Sequence, residues 1–367
     1  MIRFLDLHSI NARQQGAILA AITRVLDSGQ YLQGNELAQF EIAFGRYCGA
    51  SHCVGVGSGL DALSLTLQAW IQLGLVQPGD EVIVPGNTFI ATILAITHSA
   101  LRPVLVDPDP ATHNLGVEGI SGAISGRTRV ILPVHLYGRM ADMDAIMTLS
   151  RKHDLLVLED AAQAHGAKIN GRMAGNWGHA AAFSFYPAKN LGSLGDAGAV
   201  TTSDASLADM VRLLGNYGAR EKYKSSVSGC NSRMDEIQAA VLREKLQSLD
   251  DETAHRRKIA RIYGESITLP GLKLPEQIAS HAWHLYVVQC RDRDRLRADL
   301  DSAGIETMIH YPVPPHLQEV YADSDLANTG LAVTEQLSNE VMSLPIGSHL
   351  DDGDVHRVCR VLNSLAT

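Results

Sequence analysis

The chain has 367 residues, 46% of them hydrophobic and 19% charged, the profile of a packed globule with room for two domains. Its 31 basic and 40 acidic side chains leave a net charge of −9, a field that disfavours nonspecific nucleic-acid binding and anionic membrane surfaces but leaves a local anion site open. Five scattered cysteines, Cys48, Cys53, Cys230, Cys290 and Cys359, include no CxxC pair, so free thiols in a reducing cytoplasm are expected rather than a zinc site or a disulfide framework.

An acid at Asp6 and no long apolar run at the N-terminus argue against a signal peptide, and no stretch reaches the length of a bilayer span. Residues 11–27 predict an amphipathic helix with Ile18, Leu19, Ile22, Val25 and Leu26 on its apolar face. A break at Ser28-Gly29-Gln30-Tyr31 precedes a second helix over 35–48. Val54-Gly55-Val56 then reads as a strand ending in Gly57-Ser58-Gly59, with a helix following from Leu60 to Leu73. Further strands are predicted at Glu81–Pro85, Pro103–Val106, Val130–Val134 and Leu155–Leu158, the last ending in Glu159-Asp160. Helices are predicted between them at Phe89–Ser99 and Met143–His153. Another apolar strand runs from Ala182 towards Lys189. After Asp204 the chain becomes helical, with a long charged helical stretch over 234–265. Strand-like 282–288 follows, with helices near 293–303 and 333–341. Short apolar strands alternating with helices imply βαβ units and an α/β fold with a large, mostly parallel sheet covered on both faces. The expected boundary near residue 250 divides a large domain, 1–250, from a smaller C-terminal α/β domain, 251–367.

Ligands in open α/β sheets sit at the carboxyl ends of the strands. Three segments fit that rule. Gly57-Ser58-Gly59 opens a helix, and its small residues would let backbone N–H groups approach an anion. Alone, such a turn is as well explained by geometry. Asp160 follows a buried apolar strand, where an acid needs a partner. A carboxylate that keeps a pyridine nitrogen protonated is one explanation; a helix N-cap is the commoner one. Lys189 lies at a strand end among Pro187, Gly192, Gly195 and Gly198, where a dry, fixed amine would have a lowered pKa. Most lysines are surface groups; the three segments together point to pyridoxal phosphate (PLP) bound to Lys189 as a Schiff base.

Ser184-Phe185-Tyr186-Pro187-Ala188-Lys189-Asn190-Leu191-Gly192 and Glu159-Asp160-Ala161-Ala162-Gln163-Ala164-His165-Gly166 resemble the DegT-type nucleotide-sugar aminotransferases, PLP enzymes of fold type I. Pro78–Pro85, Thr88–Thr92 and Asn231–Ala240 carry the same resemblance, which covers nearly the whole chain. It implies Lys189 as the cofactor lysine and base, and Asp160 on the pyridine nitrogen. Phe89 would stack on the ring, Gln163 would meet the ring hydroxyl, and Ser58, Gly59 and Ser184 would bind the phosphate. Asn231 would reach that phosphate from a neighbouring subunit, which implies a homodimer with shared sites.

Gly57–Leu63, Gln163–Gly166 and His310–His316 resemble more narrowly the enzymes that aminate C3 of TDP-3-keto-6-deoxyhexoses with glutamate as donor; the C4-aminating relatives more usually carry His at the place of Gln163. Tyr186, Tyr217, Arg220, His310 and Tyr311 would then face the nucleotide sugar, with the Arg220 fork on the diphosphate. The bland alternatives are a solvated loop for Arg220 and packing beside prolines for His310 and Tyr311. Rival functions are C4 amination, a sugar dehydratase, a PLP-binding regulator without turnover, and a generic amino-acid aminotransferase. A dehydratase of this type replaces the lysine by His, a regulator need not keep Lys189 and Asp160 together, and a generic enzyme does not need the His310-Tyr311 segment.

Overall fold

The computed structural model describes residues 1–221 and 223–365. Seven strands form the central sheet: β1 (His52–Val56), β2 (Glu81–Pro85), β3 (Arg102–Val106), β4 (Thr128–Ile131), β5 (Leu156–Asp160), β6 (Ala180–Ser184) and β7 (Gly198–Thr202). Their order across the sheet is β1-β7-β6-β5-β4-β2-β3. From β6 to β3 every pairing is parallel, and β7 alone runs antiparallel to both its neighbours.

Period-two alternation divides each strand between two cores. Val82, Val84, Leu158, Ala180 and Ala182 enter one cluster, beneath α4 (Gly59–Gln72), α5 (Ile90–His98) and α8 (Ala205–Gly215). Ile83, Val157, Ala181 and Phe183 enter the other, beneath α3 (Asn35–Cys48), α7 (Met143–His153) and α9 (Glu236–Leu246). A third cluster joins Ile2 to residues between Ile259 and Leu362. It is framed by α10 (Leu249–Ser266), α13 (Asp352–Ser364) and an antiparallel pair, β8 (Tyr286–Gln289) with β9 (Val341–Leu344).

Several boundaries differ from expectation. The helix predicted over 11–27 is two helices, α1 (Leu7–Ala12) and α2 (Gln15–Ser28), and only Ile18, Ala21 and Val25 of α2 are buried, leaving Leu19 and Leu26 exposed. The charged stretch 234–265 breaks between α9 and α10 at Gln247-Ser248, where Asp250, Asp251 and Glu252 favour a new helix N-terminus. Strand β4 stops at Ile131 because Pro133 has no N–H for the ladder. Residues 282–285 are irregular and bend at His284 before β8, with Trp283 at φ 49°. Helices α11 (Arg293–Ser302) and α12 (Ala332–Glu340) fall where the sequence puts them. β7, β9, α13 and the short α6 (Val117–Ala123) are additions.

Candidate active site

The last two residues of β5 are acids on opposite faces of the sheet. Glu159 follows Val157 into the α3 side and is fully buried. Its carboxylate accepts from Gly175 N (3.0 Å), Trp177 N (2.8 Å) and Gly178 N (2.8 Å), and meets His135 Nε2 at 2.9 Å. Ala141 N donates to His135 Nδ1, so the ring proton sits on Nε2 and is given to Glu159. Burial pushes the Glu159 carboxyl up, but His135 and the amides outweigh it and hold it below its usual range. Glu159 is therefore a structural anchor. Glu159→Gln sets an NH₂ against either Gly175 N–H or the Trp177 and Gly178 amides, and should lower stability by about 3 kcal/mol. Urea unfolding at neutral pH checks this, with the midpoint falling at unchanged m-value. The difference should vanish in acid, since a depressed carboxyl stabilises above its unfolded pKa and loses that contribution as pH falls through the folded one.

Asp160 takes the other face, with only 7% of its surface exposed. Thr92 Oγ donates to Oδ2 at 2.9 Å and Ala162 N to Oδ1 at 3.2 Å. Because Thr92 spends its only hydroxyl proton there, Thr88 must donate in the 2.7 Å contact between the two threonines. Burial pushes the Asp160 carboxyl up, against these hydrogen bonds and the charge of Lys189. Residues 161–165 form a turn, so Asp160 is no helix cap.

Register brings the remaining segments to the same edge. Gly198 at the start of β7 pairs with both Val56 and Ser184, and Ala182 pairs with Asp160. Ser58 caps α4 by accepting from Asp61 N. A Cβ on Gly59 would fall 2.6 Å from Ser184 Cβ, and one on Gly198 would fall 2.3 Å from Ser58 O. Only glycine permits that approach. Beyond β6 the chain makes a tight loop, with Lys189 N donating to Tyr186 O (2.8 Å) and Ser193 N to Phe185 O (2.8 Å). Gly192 closes the loop, since a Cβ there would lie 2.3 Å from Pro187 O. Lys245 Nζ ties the loop to α1, donating to Gly192 O and Asn11 Oδ1. Burial pushes Lys189 down to about 8, with Asp160 offsetting part of the effect. Among the described residues no side chain hydrogen-bonds or ion-pairs with its Nζ.

Gln163 is buried, receives Tyr137 N on Oε1 and donates to the Tyr311 hydroxyl at 3.0 Å. Phe89, half exposed at the start of α5, has its ring 5.2 Å from that of Tyr311. His310 Nδ1 meets Ser343 Oγ at 2.8 Å, and burial with the charge of Lys189 brings its pKa down to about 4. Tyr186 and Tyr217 are half exposed, and Arg233 lies over the Tyr217 ring. Arg220 is exposed on a small hairpin, Ala219–Glu221 with Lys224–Ser225. Asn231 is exposed, with no side-chain hydrogen bond among the described residues.

Residues 13–363 match the DegT/DnrJ/EryC1/StrS aminotransferase family. The chain belongs to this family. Among its relatives is the dTDP-3-amino-3,6-dideoxy-alpha-D-galactopyranose transaminase of Aneurinibacillus thermoaerophilus, 48% identical over 99% of each chain. Another is the erythromycin biosynthesis sensory transduction protein EryC1 of Saccharopolyspora erythraea, 50% identical over 95% of each. The crystal structure of S. venezuelae DesV in complex with a ketimine intermediate superposes with a TM-score of 0.95 at 47% identity, covering 100% of this chain and 98% of that one.

This aminotransferase is PLP-dependent, with the α/β architecture of fold type I. The residues present fit the cofactor: the close approach of Ser58, Gly59, Ser184 and Gly198, which only glycine permits, brings two serines to a helix N-terminus, suited to a phosphate, at the end of the sheet that also holds the buried Lys189 amine and Asp160 carboxylate. Sequence reasoning did not assign Thr88 and Thr92. Their signal was two hydroxyls four residues apart around an apolar helix start, neither of which that helix needs.

Proposed function

We propose that this aminotransferase aminates C3 of a TDP-linked 3-keto-6-deoxyhexose, with glutamate as the amino donor. The observation that carries the reading is a buried Lys189 amine, with no side-chain partner among the described residues, that interacts with a buried Asp160 carboxylate at one end of the sheet. The names of relatives about 48% identical supply the sugar class. When bound, PLP supplies an electron sink for charge developing on the donor's α-carbon. Lys189 would hold the cofactor, and its freed Nζ would carry the proton between that carbon and the cofactor. Asp160, whose ionised form Thr92 and Ala162 favour against burial, would hold the proton on the ring nitrogen. Phe89 would cover the ring face, Gln163 would contact the ring hydroxyl, and Ser58, Gly59 and Ser184 would bind the phosphate.

Tyr186, Tyr217, Arg220, His310 and Tyr311 would face the nucleotide sugar. Their support is exposure at Tyr186, Tyr217 and Arg220, and the Gln163–Tyr311 hydrogen bond that links the ring side to the sugar side. Asn231 would complete the phosphate site of a second copy. Exposed Tyr31 and Leu32, held against Asp235 and Glu236 a few residues further along, offer apolar surface that a homodimer would cover. Among the described residues no helix is long and apolar enough to cross a membrane, and the buried free thiols of Cys48, Cys53 and Cys359 suit the cytoplasm.

The test follows the cofactor's absorbance in the purified protein. Glutamate should convert the long-wavelength band to a shorter-wavelength one, and TDP-3-keto-6-deoxyglucose should restore it. Restoration by the 4-keto sugar instead would move the reaction to C4. A band that glutamate shifts and no keto sugar restores would leave the PLP chemistry standing and remove the sugar assignment.

A further inference from the structure

The irregular segment before β8 holds a bulky residue where few are found. Trp283 has φ 49°, in the left-handed region, which a large aromatic occupies only when its surroundings fix it. Here they do. Trp283 N donates to His281 Nδ1 at 2.8 Å, and the two rings stack 3.9 Å apart. Arg256 Nη1, buried on α10, donates to the carbonyls of Trp283, His284 and Ile346. Gly138 lies so close that a Cβ there would sit 2.9 Å from His284 N. Strain kept in place from several sides is the pattern of a backbone that aims a side chain, and the side chain that follows is His284.

One hydrogen bond fixes the protonation of that ring. Asn190, the residue after Lys189, donates Nδ2–H to Ala282 O at 2.9 Å. A carbonyl can only accept, so the Asn190 amide nitrogen must face it and its Oδ1 must face His284. His284 Nδ1 lies 3.1 Å from that oxygen and therefore carries the ring proton. Nε2 is left with a free lone pair and no hydrogen-bond partner among the described residues. Burial and the charge of Lys189 keep the ring neutral, and Arg256, His310 and His165 are the other titratable groups that face it. A lone pair suits a cationic or N–H donor and repels a carboxylate, so the ring is no anchor for the donor's carboxylates.

We propose that His284 is a positioning residue for Lys189: its unprotonated Nε2 accepts a hydrogen bond from the freed Lys189 amine and holds that amine in line for proton transfer. The inference rests on Lys189 being the base.

Two variants separate this role from packing. In His284→Asn the amide replaces Nδ1 and keeps the Asn190 link but has nothing at Nε2; in His284→Gln the amide oxygen reaches the place of Nε2. In the holoenzyme, His284→Asn should slow the glutamate half-reaction about 10- to 100-fold with little change in the glutamate concentration giving half-maximal rate. It should also lower the apparent pKa of the bound cofactor's absorbance, since an acceptor favours the protonated nitrogen. His284→Gln should keep the rate within about threefold. On the unaltered protein, ¹⁵N NMR of labelled histidine should show a neutral Nδ1–H ring that disappears in His284→Asn. Wild-type rate and absorbance pKa in His284→Asn would overturn the proposal. So would equal losses in both variants with a lowered melting temperature and an unmoved absorbance pKa, which is a packing role, or an Nε2–H ring in the NMR. A wild-type protein without a glutamate-sensitive band would instead remove the premise about Lys189, which keeps the two failures distinct.

Discussion

Replacing Lys189 by methionine should lower transamination by about 10³-fold or more while leaving the fold intact. Methionine fills much the same space, and the amine has no hydrogen bond to lose among the described residues, so the change removes a proton carrier and little else. The variant should still take up PLP through phosphate contacts at Ser58, Gly59 and Ser184, but without the absorbance of a lysine-linked cofactor. A companion measurement uses the unaltered chain stripped of cofactor. Only the neutral amine attacks the cofactor aldehyde. Burial brings Lys189 down to about 8, so the neutral fraction grows as pH rises. The rate of PLP capture should therefore climb with pH and level off above about 8. Turnover by Lys189→Met near the wild-type rate, or capture that falls with rising pH, would remove Lys189 from the centre of the reaction.

Asp160→Asn should reduce kcat by about 10²- to 10³-fold, with a smaller change in KM. The side chains of Thr88, Thr92 and Asp160 form a directed chain, each hydroxyl donating towards the carboxylate. An amide at position 160 is neutral and cannot stabilise a protonated ring nitrogen. It must also turn its NH₂ either on the Thr92 hydroxyl or on Ala162 N, both of which donate to the carboxylate. Steady-state kinetics at several pH values decides the matter. An unchanged kcat would mean that the carboxylate does not support the ring, and Thr92 would then be explained as packing.

Much of the site was legible as text because it lies at strand ends, where local sequence announces function. Gly57-Ser58-Gly59, Asp160 and Lys189 each follow a short apolar strand, and register in a parallel sheet gathers such ends on one edge. The second acid was not legible. Glu159 and Asp160 are equivalent acids in sequence, yet period-two alternation sends one to three backbone amides on the α3 side and the other to Thr92. His284 was hidden for a similar reason. Residues 282–288 read as strand, and nothing local reveals that Arg256, Asn190 and Gly138 bend their first half away from it.

The sequence by itself determined the α/β alternation, the PLP chemistry and the residues at the strand ends. These depend on hydrophobic period and on motifs a few residues long. Tertiary structure decided the antiparallel insertion of β7, the opposite duties of Glu159 and Asp160, and the protonation of His284. Each of these depends on partners tens or hundreds of residues away, and a hydrogen bond is directional: which atom donates is settled only when the distant group that must accept has been brought into place.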